Sequence, residues 1–242
     1  MIVATTPRFD LLRDAVAGEG YVFVRGAAMR PLLMDANPLT DLAAFIDSWN
    51  DLPVDTYMAD GGRYRRRRHA TYAASADAIV RQPHSPHYQS PEYNRLNGGV
   101  ARWFAPIDSE IGEGPTMTAV LRFCRGLFGE LAPYAARWTI EAHQFRIEAR
   151  TDEPGQPTPE GIHRDGVDYV LVLLVGRHNI TEGRTTVYAD QRPLGSFTLT
   201  DPFDAALVDD HRVAHGVTAV EAIDPSTAAF RDVLVVTFRC RL

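Results

Sequence analysis

At 242 residues, with 45% hydrophobic and 23% charged residues, the chain has the balance of a folded protein with a substantial core, which excludes intrinsic disorder. A formal net charge of −6 removes the global basic footprint that nucleic acid or an anionic membrane would require. The two cysteines, Cys124 and Cys240, sit in apolar contexts and read as buried thiols, since two give neither a disulfide framework nor a Cys-x-x-Cys metal knuckle.

Met1 to Val16 mixes acidic and basic residues and lacks the apolar core of about 7–15 residues that a signal peptide needs. No stretch approaches the ~20 apolar residues of a membrane span, so the expected location is cytoplasmic. Phe9 to Gly18 has helical spacing with a glycine stop, and Tyr21 to Arg25 reads as a short buried strand. Thr40 to Trp49 predicts a second amphipathic helix, with Leu42, Phe45, Ile46 and Trp49 turned to the core.

Tyr57 to Tyr72 reads as a strand containing the run Arg65 to Arg68. On a strand those four arginines split two and two between faces, which favours ion-paired and solvated arginines over a nucleic-acid patch. Gln82 to Gly99, rich in Pro, Ser, Asn and Gly, reads as a loop or lid. Its His84 and His87 have no carboxylate or cysteine nearby in sequence to make them a metal pair. Met117 to Leu131 is helical, with Val120, Leu121, Cys124, Leu127 and Phe128 as its buried stripe.

From Trp138 the period changes to two. In His143 to Glu148, Phe145 and Ile147 share one face while Gln144, Arg146 and Glu148 share the other, and the polar face is expected in a barrel mouth. Further strands follow at 170–175, 185–188, 196–200, 205–208, 213–220 and 233–238, separated by turn residues. The order accommodates a double-stranded β-helix, a jelly-roll barrel flanked by N-terminal helices. With neither an internal repeat nor an interdomain linker, the expectation is one domain over 1–242: a helical, lid and barrel-supporting part at 1–136, and a jelly-roll core at 137–242.

The sharpest chemical signal is His163-Arg164-Asp165 at the entrance to the apolar strand. Alternate residues of an extended segment project to one side, so an imidazole and a carboxylate stand together as possible metal ligands. His215 is the best third ligand. His211 competes, but follows Asp209-Asp210 and belongs to a turn. Two imidazoles and a carboxylate leave the remaining metal positions open, an arrangement that suits non-haem Fe(II) oxygenases. Arg231, just before the last strand, is placed to bind a carboxylate as a bidentate donor, unless it merely pairs with Asp232 or Asp224. His143 and His178 read as structural or surface residues.

The segments Gly161 to Val170, Asp209 to Thr218 and Arg231 to Phe238, with a further echo in Asp60 to His69, resemble the bacterial 2-oxoglutarate/Fe(II)-dependent dioxygenase family of free amino-acid hydroxylases, also labelled biofilm, stress and motility protein A-like. The resemblance implies Fe(II) held by His163, Asp165 and His215, with 2-oxoglutarate and O₂ as co-substrates. It implies Arg231 at the far carboxylate of 2-oxoglutarate, with Thr185, Gln144 and Arg146 as weaker candidates for co-substrate or substrate contacts. The expected substrate is a small carboxylate-bearing molecule, a free aliphatic L-amino acid or a derivative, with neither nucleic acid nor membrane as partner. Two other classes remain: a non-catalytic or hydrolytic divalent-metal jelly-roll protein, and a regulatory module binding nucleic acid through Arg65 to Arg68.

Overall fold

The computed structural model describes residues 9–150 and 152–241; the first eight residues, part of the Met1 to Val16 stretch read above for a targeting signal, lie outside it. The chain opens with helix α1 (Phe9–Glu19), strand β1 (Tyr21–Val24) and helix α2 (Gly26–Ala36). Helix α3 (Leu42–Asp47) tightens into a 3₁₀ turn at Ser48–Asp51, where the Ser48 hydroxyl donates back to the Phe45 carbonyl at 2.7 Å. Strands β2 (Arg65–Ala74) and β3 (Ile79–Arg81), the short helix α4 (Ser109–Gly112) and the long helix α5 (Pro115–Leu131) complete the first half. The second half is β4 (Arg137–Glu148), β5 (Tyr169–His178), β6 (Ile180–Glu182), β7 (Arg184–Ala189), β8 (Arg192–Thr198), β9 (Ala205–Asp209), β10 (Ala214–Val217), β11 (Val220–Ala222) and β12 (Phe230–Arg241).

Seven strands form the main sheet in the order β1-β9-β5-β12-β4-β2-β3; β10-β7-β8 form a second sheet and β11-β6 a small ribbon. This is a jelly-roll of two facing sheets, and the hydrogen-bonded ladders do not close into one continuous barrel. Strands β1, β2 and β3, from the first half of the sequence, are built into the same main sheet as β4, β5, β9 and β12.

One face of the main sheet is covered by the helices. Proline at the first position starts α5 in the conformation a helix needs. Asp41 anchors that end by accepting the Thr116 backbone N–H at 2.8 Å. The expected stripe is buried, as Val120, Leu121, Cys124, Leu127 and Phe128 pack with Trp138, Tyr169 and Phe238 in the largest core. Each such side chain contributes roughly 1.5–3 kcal/mol when fully buried. Cys124 is a buried free thiol, as expected, while Cys240 is only partly buried.

Three local expectations need correction. Helix α2 was not anticipated because Pro31 lies inside it; Pro31 and Ala27, whose carbonyl loses its helical partner there, both lie on an exposed side. Ile46 is 41% exposed, because the buried face of this segment runs through Phe45 and Trp49, four residues apart, and Ile46 lies one residue round the helix from it. The strand expected from Tyr57 begins only at Arg65. Among the described residues no helix is long and apolar enough to cross a membrane.

The other face of the main sheet turns toward β7 and β8. Phe23, Val170, Val187, Phe197, Leu199, Val208 and Val233 pack between the two sheets. A pocket opens beside them, lined from β2, β4, β7, β10 and β12 and from the loops at 87–102 and 157–167.

Candidate active site

His163 and His215 lie in register as an isolated antiparallel bridge, each donating its backbone N–H to the other's carbonyl, at 3.0 and 2.9 Å. That pairing brings their rings to 4.5 Å between centroids. Asp165 follows on the same side, with one carboxylate oxygen 3.8 Å from His163 Nε2. One ligating atom from each of His163, Asp165 and His215 lies within 4.8 Å of the others, a set that could hold a metal ion.

His163 Nδ1 lies 3.1 Å from the Gly161 carbonyl, an acceptor only, so Nδ1 carries the hydrogen and Nε2 keeps its lone pair for a ligand. Burial, reinforced by His163, pushes His215 down to about 3, so its ring is neutral. Burial is also the largest influence on Asp165 and pushes its carboxyl up against the opposing pull of His163. Burial opposes the charge of His163 too, yet Asp165 and Glu160 more than offset it and raise that ring's pKa. Two imidazole nitrogens beside a buried carboxylate are the donors a divalent cation requires, its binding displacing any proton from His163, and the set fits Fe(II).

The turn that carries Asp165 is held by a residue that sequence reading did not single out. The Asp210 carboxylate accepts the backbone N–H groups of Asp165, Gly166 and Val167 at 3.0, 2.7 and 3.1 Å. Gly166 has φ +77° and lies against the Tyr93 ring, where a Cβ would come within 2.5 Å, so both backbone and space require glycine. Glu160 was also missed; it lines the pocket with one oxygen 3.5 Å from His163 Nε2. His211 takes no part, because its Nε2 bonds Asp168 at 2.8 Å on an exposed surface.

Arg231 lines the same pocket, is only 3% exposed, and has a buried Nε without a hydrogen-bond partner. Asp232 points the other way and is taken by Arg146, at 2.8 and 2.7 Å, and Asp224 caps its own turn through Ser226. Burial first, and then the charge of Arg177, push the Arg231 guanidinium down to about 10. A buried cation in that condition lacks an anion, and a carboxylate would supply it. Thr185, also buried, lines the pocket.

Gln144 and Arg146 do not reach the pocket. Gln144 Nε2 donates to Ser48 Oγ at 2.7 Å on the helix side, and Arg146 pairs with Asp232 and Asn50. The face of β4 that lines the pocket is the other one, with Glu141, His143, Phe145 and Ile147. The alternation was read correctly, but the face turned to the pocket was the opposite of the one expected.

The arginine run divides as its spacing predicts. Arg66 and Arg68 point outward to Glu148 and Asp108, while Arg65 and Arg67 are buried and line the pocket with Arg102. Such a split leaves no exposed four-arginine patch. Three guanidiniums thus meet in the pocket wall with one close carboxylate, Asp55, 2.8 Å from Arg65 and 3.6 Å from Arg67. His84 and His87 do not converge: His84 bonds the Phe104 carbonyl, whereas His87 turns into the pocket and meets Glu141. Gln89 of this loop donates its amide to the Asp165 carbonyl at 3.1 Å.

Residues 46–237 match the family described as 2OG-Fe dioxygenase. An L-isoleucine-4-hydroxylase of Bacillus thuringiensis is 29% identical over 201 residues, 81% of each chain. A 3(1)-hydroxy-L-isoleucine 4-dioxygenase of Pantoea ananatis is 23% identical over 91% of this chain and 92% of its own. A crystal structure of a bsmA homolog from Methylobium petroleophilum superposes with a TM-score of 0.89 at 35% identity, over 98% of this chain and 95% of that one.

Proposed function

The chain belongs to the 2OG-Fe dioxygenase family, and from that premise we propose that it hydroxylates a free aliphatic L-amino acid or a close derivative. In this reading residues 1–242 form one dioxygenase domain acting in the cytosol, where ferrous iron and 2-oxoglutarate are available. His163, Asp165 and His215 would hold Fe(II), and Arg231 with Thr185 would hold 2-oxoglutarate. When bound, Fe(II), 2-oxoglutarate and O₂ supply the oxidation: the 2-oxo acid leaves as succinate and CO₂, and one oxygen atom enters a substrate C–H bond.

The chain's own residues do the positioning. The Gly161 carbonyl and the Asp210 carboxylate orient His163 and the Asp165 turn, so the chain's own hydrogen bonds hold the ligand set in place. Arg231 offers its guanidinium to the distal carboxylate of the co-substrate, away from the reacting end. Val187, Phe197, Leu199 and Val233 make a dry wall beside it that strengthens that ion pair.

The observation that carries the substrate class is the surplus of buried positive charge at Arg65, Arg67 and Arg102. Arg67 lies over the Phe104 ring at 3.6 Å and the Phe145 ring at 4.4 Å, and Nε of both Arg67 and Arg102 is buried without a partner. A substrate carboxylate would complete this wall, and the apolar lining would receive an aliphatic side chain. Clamped in this way, one C–H is held toward the triad and the others are kept from it.

The test is incubation with Fe(II), 2-oxoglutarate and O₂ and a panel of leucine, isoleucine, methionine and their N-acyl forms, following succinate and substrate mass. One oxygen atom gained per succinate formed is the expected result. A panel in which none gains oxygen while a peptide does would overturn the small-molecule reading.

A further inference from the structure

A second polar cluster gathers His69, His87, Glu141 and His143; His87, Glu141 and His143 line the same pocket, and His69 is buried against them. It arises from the β2–β4 register, which pairs His69 with His143 and stacks their rings at 4.6 Å, and from the loop strand-pairing of His87 with Arg102, which turns His87 toward Glu141.

The hydrogen-bond polarity of the cluster can be worked out from one arginine. A guanidinium only donates, so Arg67, 2.8 Å from His143 Nδ1, makes that nitrogen an acceptor. The neutral ring then carries its hydrogen on Nε2, which lies 3.5 Å from Glu141 Oε2. His87 Nδ1 meets the same oxygen at 2.7 Å. Burial works to raise the Glu141 carboxyl, but the hydrogen bonds from His143 and His87 outweigh it and hold the group well below the usual carboxylate range. Glu141 is therefore an anion facing the pocket, with Oε1 still available. His69 is 1% exposed, both of its ring nitrogens are buried without a hydrogen-bond partner, and its Nε2 lies 3.9 Å from Glu141.

These groups call for a cation, and two kinds are possible. A metal ion held by all four residues would need the lone pair of His143 Nε2, which moves the ring hydrogen to Nδ1 and sets it against the Arg67 N–H. A divalent ion would also add two positive charges beside three guanidiniums, where an ammonium adds one. A protonated amine leaves the His143 hydrogen in place and donates to Glu141. We propose that Glu141, held by His87 and His143, forms the binding subsite for the substrate's ammonium group, with Arg67 and Arg102 receiving its carboxylate. The pocket then reads an intact zwitterion, and the substrate is a free α-amino acid rather than an N-acyl or deaminated form. The inference rests on the amino-acid reading above and narrows it.

The experiment is anaerobic calorimetry on the protein loaded with Fe(II) and 2-oxoglutarate, using L-leucine, L-isoleucine and L-methionine, their N-acetyl forms and the matching deaminated acids. At least one free amino acid is expected to bind roughly 30-fold or more tightly than both of its analogues, the loss typical of leaving a buried charge unpaired. Glu141→Gln should abolish that preference by weakening the free amino acid alone. The variant's visible Fe(II)–2-oxoglutarate absorption band, retained, reports an intact fold and triad. Equal binding of free and N-acetyl forms by the unsubstituted protein, or a preference that survives Glu141→Gln, overturns the subsite and leaves the carboxylate clamp standing. Failure of every compound to bind or be oxidised overturns the amino-acid reading itself, and this inference with it. A second equivalent of Co(II) that is lost in Glu141→Gln and kept in His215→Ala overturns the ammonium site in favour of a metal.

Discussion

His163 and His215 exchange both of their backbone hydrogen bonds, so a loop before β5 and a strand of the second sheet are joined at the two residues whose imidazoles the proposed metal site uses. The ligand geometry is therefore fixed by main-chain pairing and does not depend on side-chain packing alone. Replacing one imidazole should remove a ligand without unfolding this bridge. His163→Ala, Asp165→Ala and His215→Ala are each expected to abolish Fe(II)-dependent turnover and lose stoichiometric iron, while His211→Ala keeps both. Iron analysis of folded protein checks this. Iron lost in His211→Ala and kept in His215→Ala would reverse the assignment.

Asp210 should matter nearly as much as a ligand, though it touches no pocket atom of the triad. Its carboxylate satisfies three consecutive backbone N–H groups of the turn that presents Asp165. Asp210→Ala leaves those donors without their acceptor and is expected to weaken iron binding by about 10–100-fold. The melting temperature should fall as well, since each buried donor left unsatisfied costs about 1–3 kcal/mol. Iron titration followed by thermal melts would measure both. Unchanged iron affinity in a folded variant would show that the turn holds its shape without Asp210.

Arg231→Ala separates co-substrate binding from iron binding. Removing one partner of a buried charge pair costs roughly 2–5 kcal/mol, which corresponds to about 30-fold to several-thousand-fold weaker 2-oxoglutarate. Iron content should not change, because no triad side chain touches Arg231. Arg231→Lys should recover little of the loss, since an ammonium lacks the guanidinium fork. Co-substrate titration of the iron-loaded protein decides it, and unaltered affinity would remove Arg231 from the site.

The triad and Arg231 were legible because each is announced by a few contiguous residues: His-x-Asp before an apolar run, a histidine within a strand, an arginine at the start of the last strand. The second cluster was not, because His69, His87 and Glu141 meet only through the β2–β4 pairing and a loop that lies between the two strands in sequence. The one available signal was that Glu141 and His143 share the face of β4 that carries Phe145. Gln144 and Arg146 were misplaced because period-two alternation identifies two faces without saying which is covered. Here the helices, through Ser48, and the neighbouring Asp232 take the face of β4 that carries Gln144 and Arg146. Helix α2 was hidden by Pro31, a residue that argues against a helix wherever the opposed carbonyl cannot reach water.

Asp55 gives the arginine wall a measurable pH signature. Burial works to raise its carboxyl, but Arg65 and Arg67, the Tyr57 N–H and the Arg65 hydrogen bond together lower it below its ordinary value. A carboxyl whose folded pKa lies below the unfolded one adds stability above the unfolded value of about 3.9, and that stability is lost as pH falls through the folded value. Asp55→Asn removes the one close anion among three guanidiniums and should cost about 3–5 kcal/mol near neutral pH, as for a broken buried pair. The gap between unsubstituted and variant melting temperatures should therefore be wide at pH 7 and begin to close only as the pH drops below about 4. A substrate carboxylate opposes the loss by adding charge to the same wall, whereas the asparagine variant deepens the deficit it fills. Asp55→Asn is thus expected to bind a carboxylate-bearing amino acid at least as tightly as the unsubstituted protein, despite melting earlier. Thermal melts across pH 3 to 8, with and without L-leucine, test both parts, and a stability gap that stays constant across that range would show that Asp55 is not the counter-ion of Arg65 and Arg67.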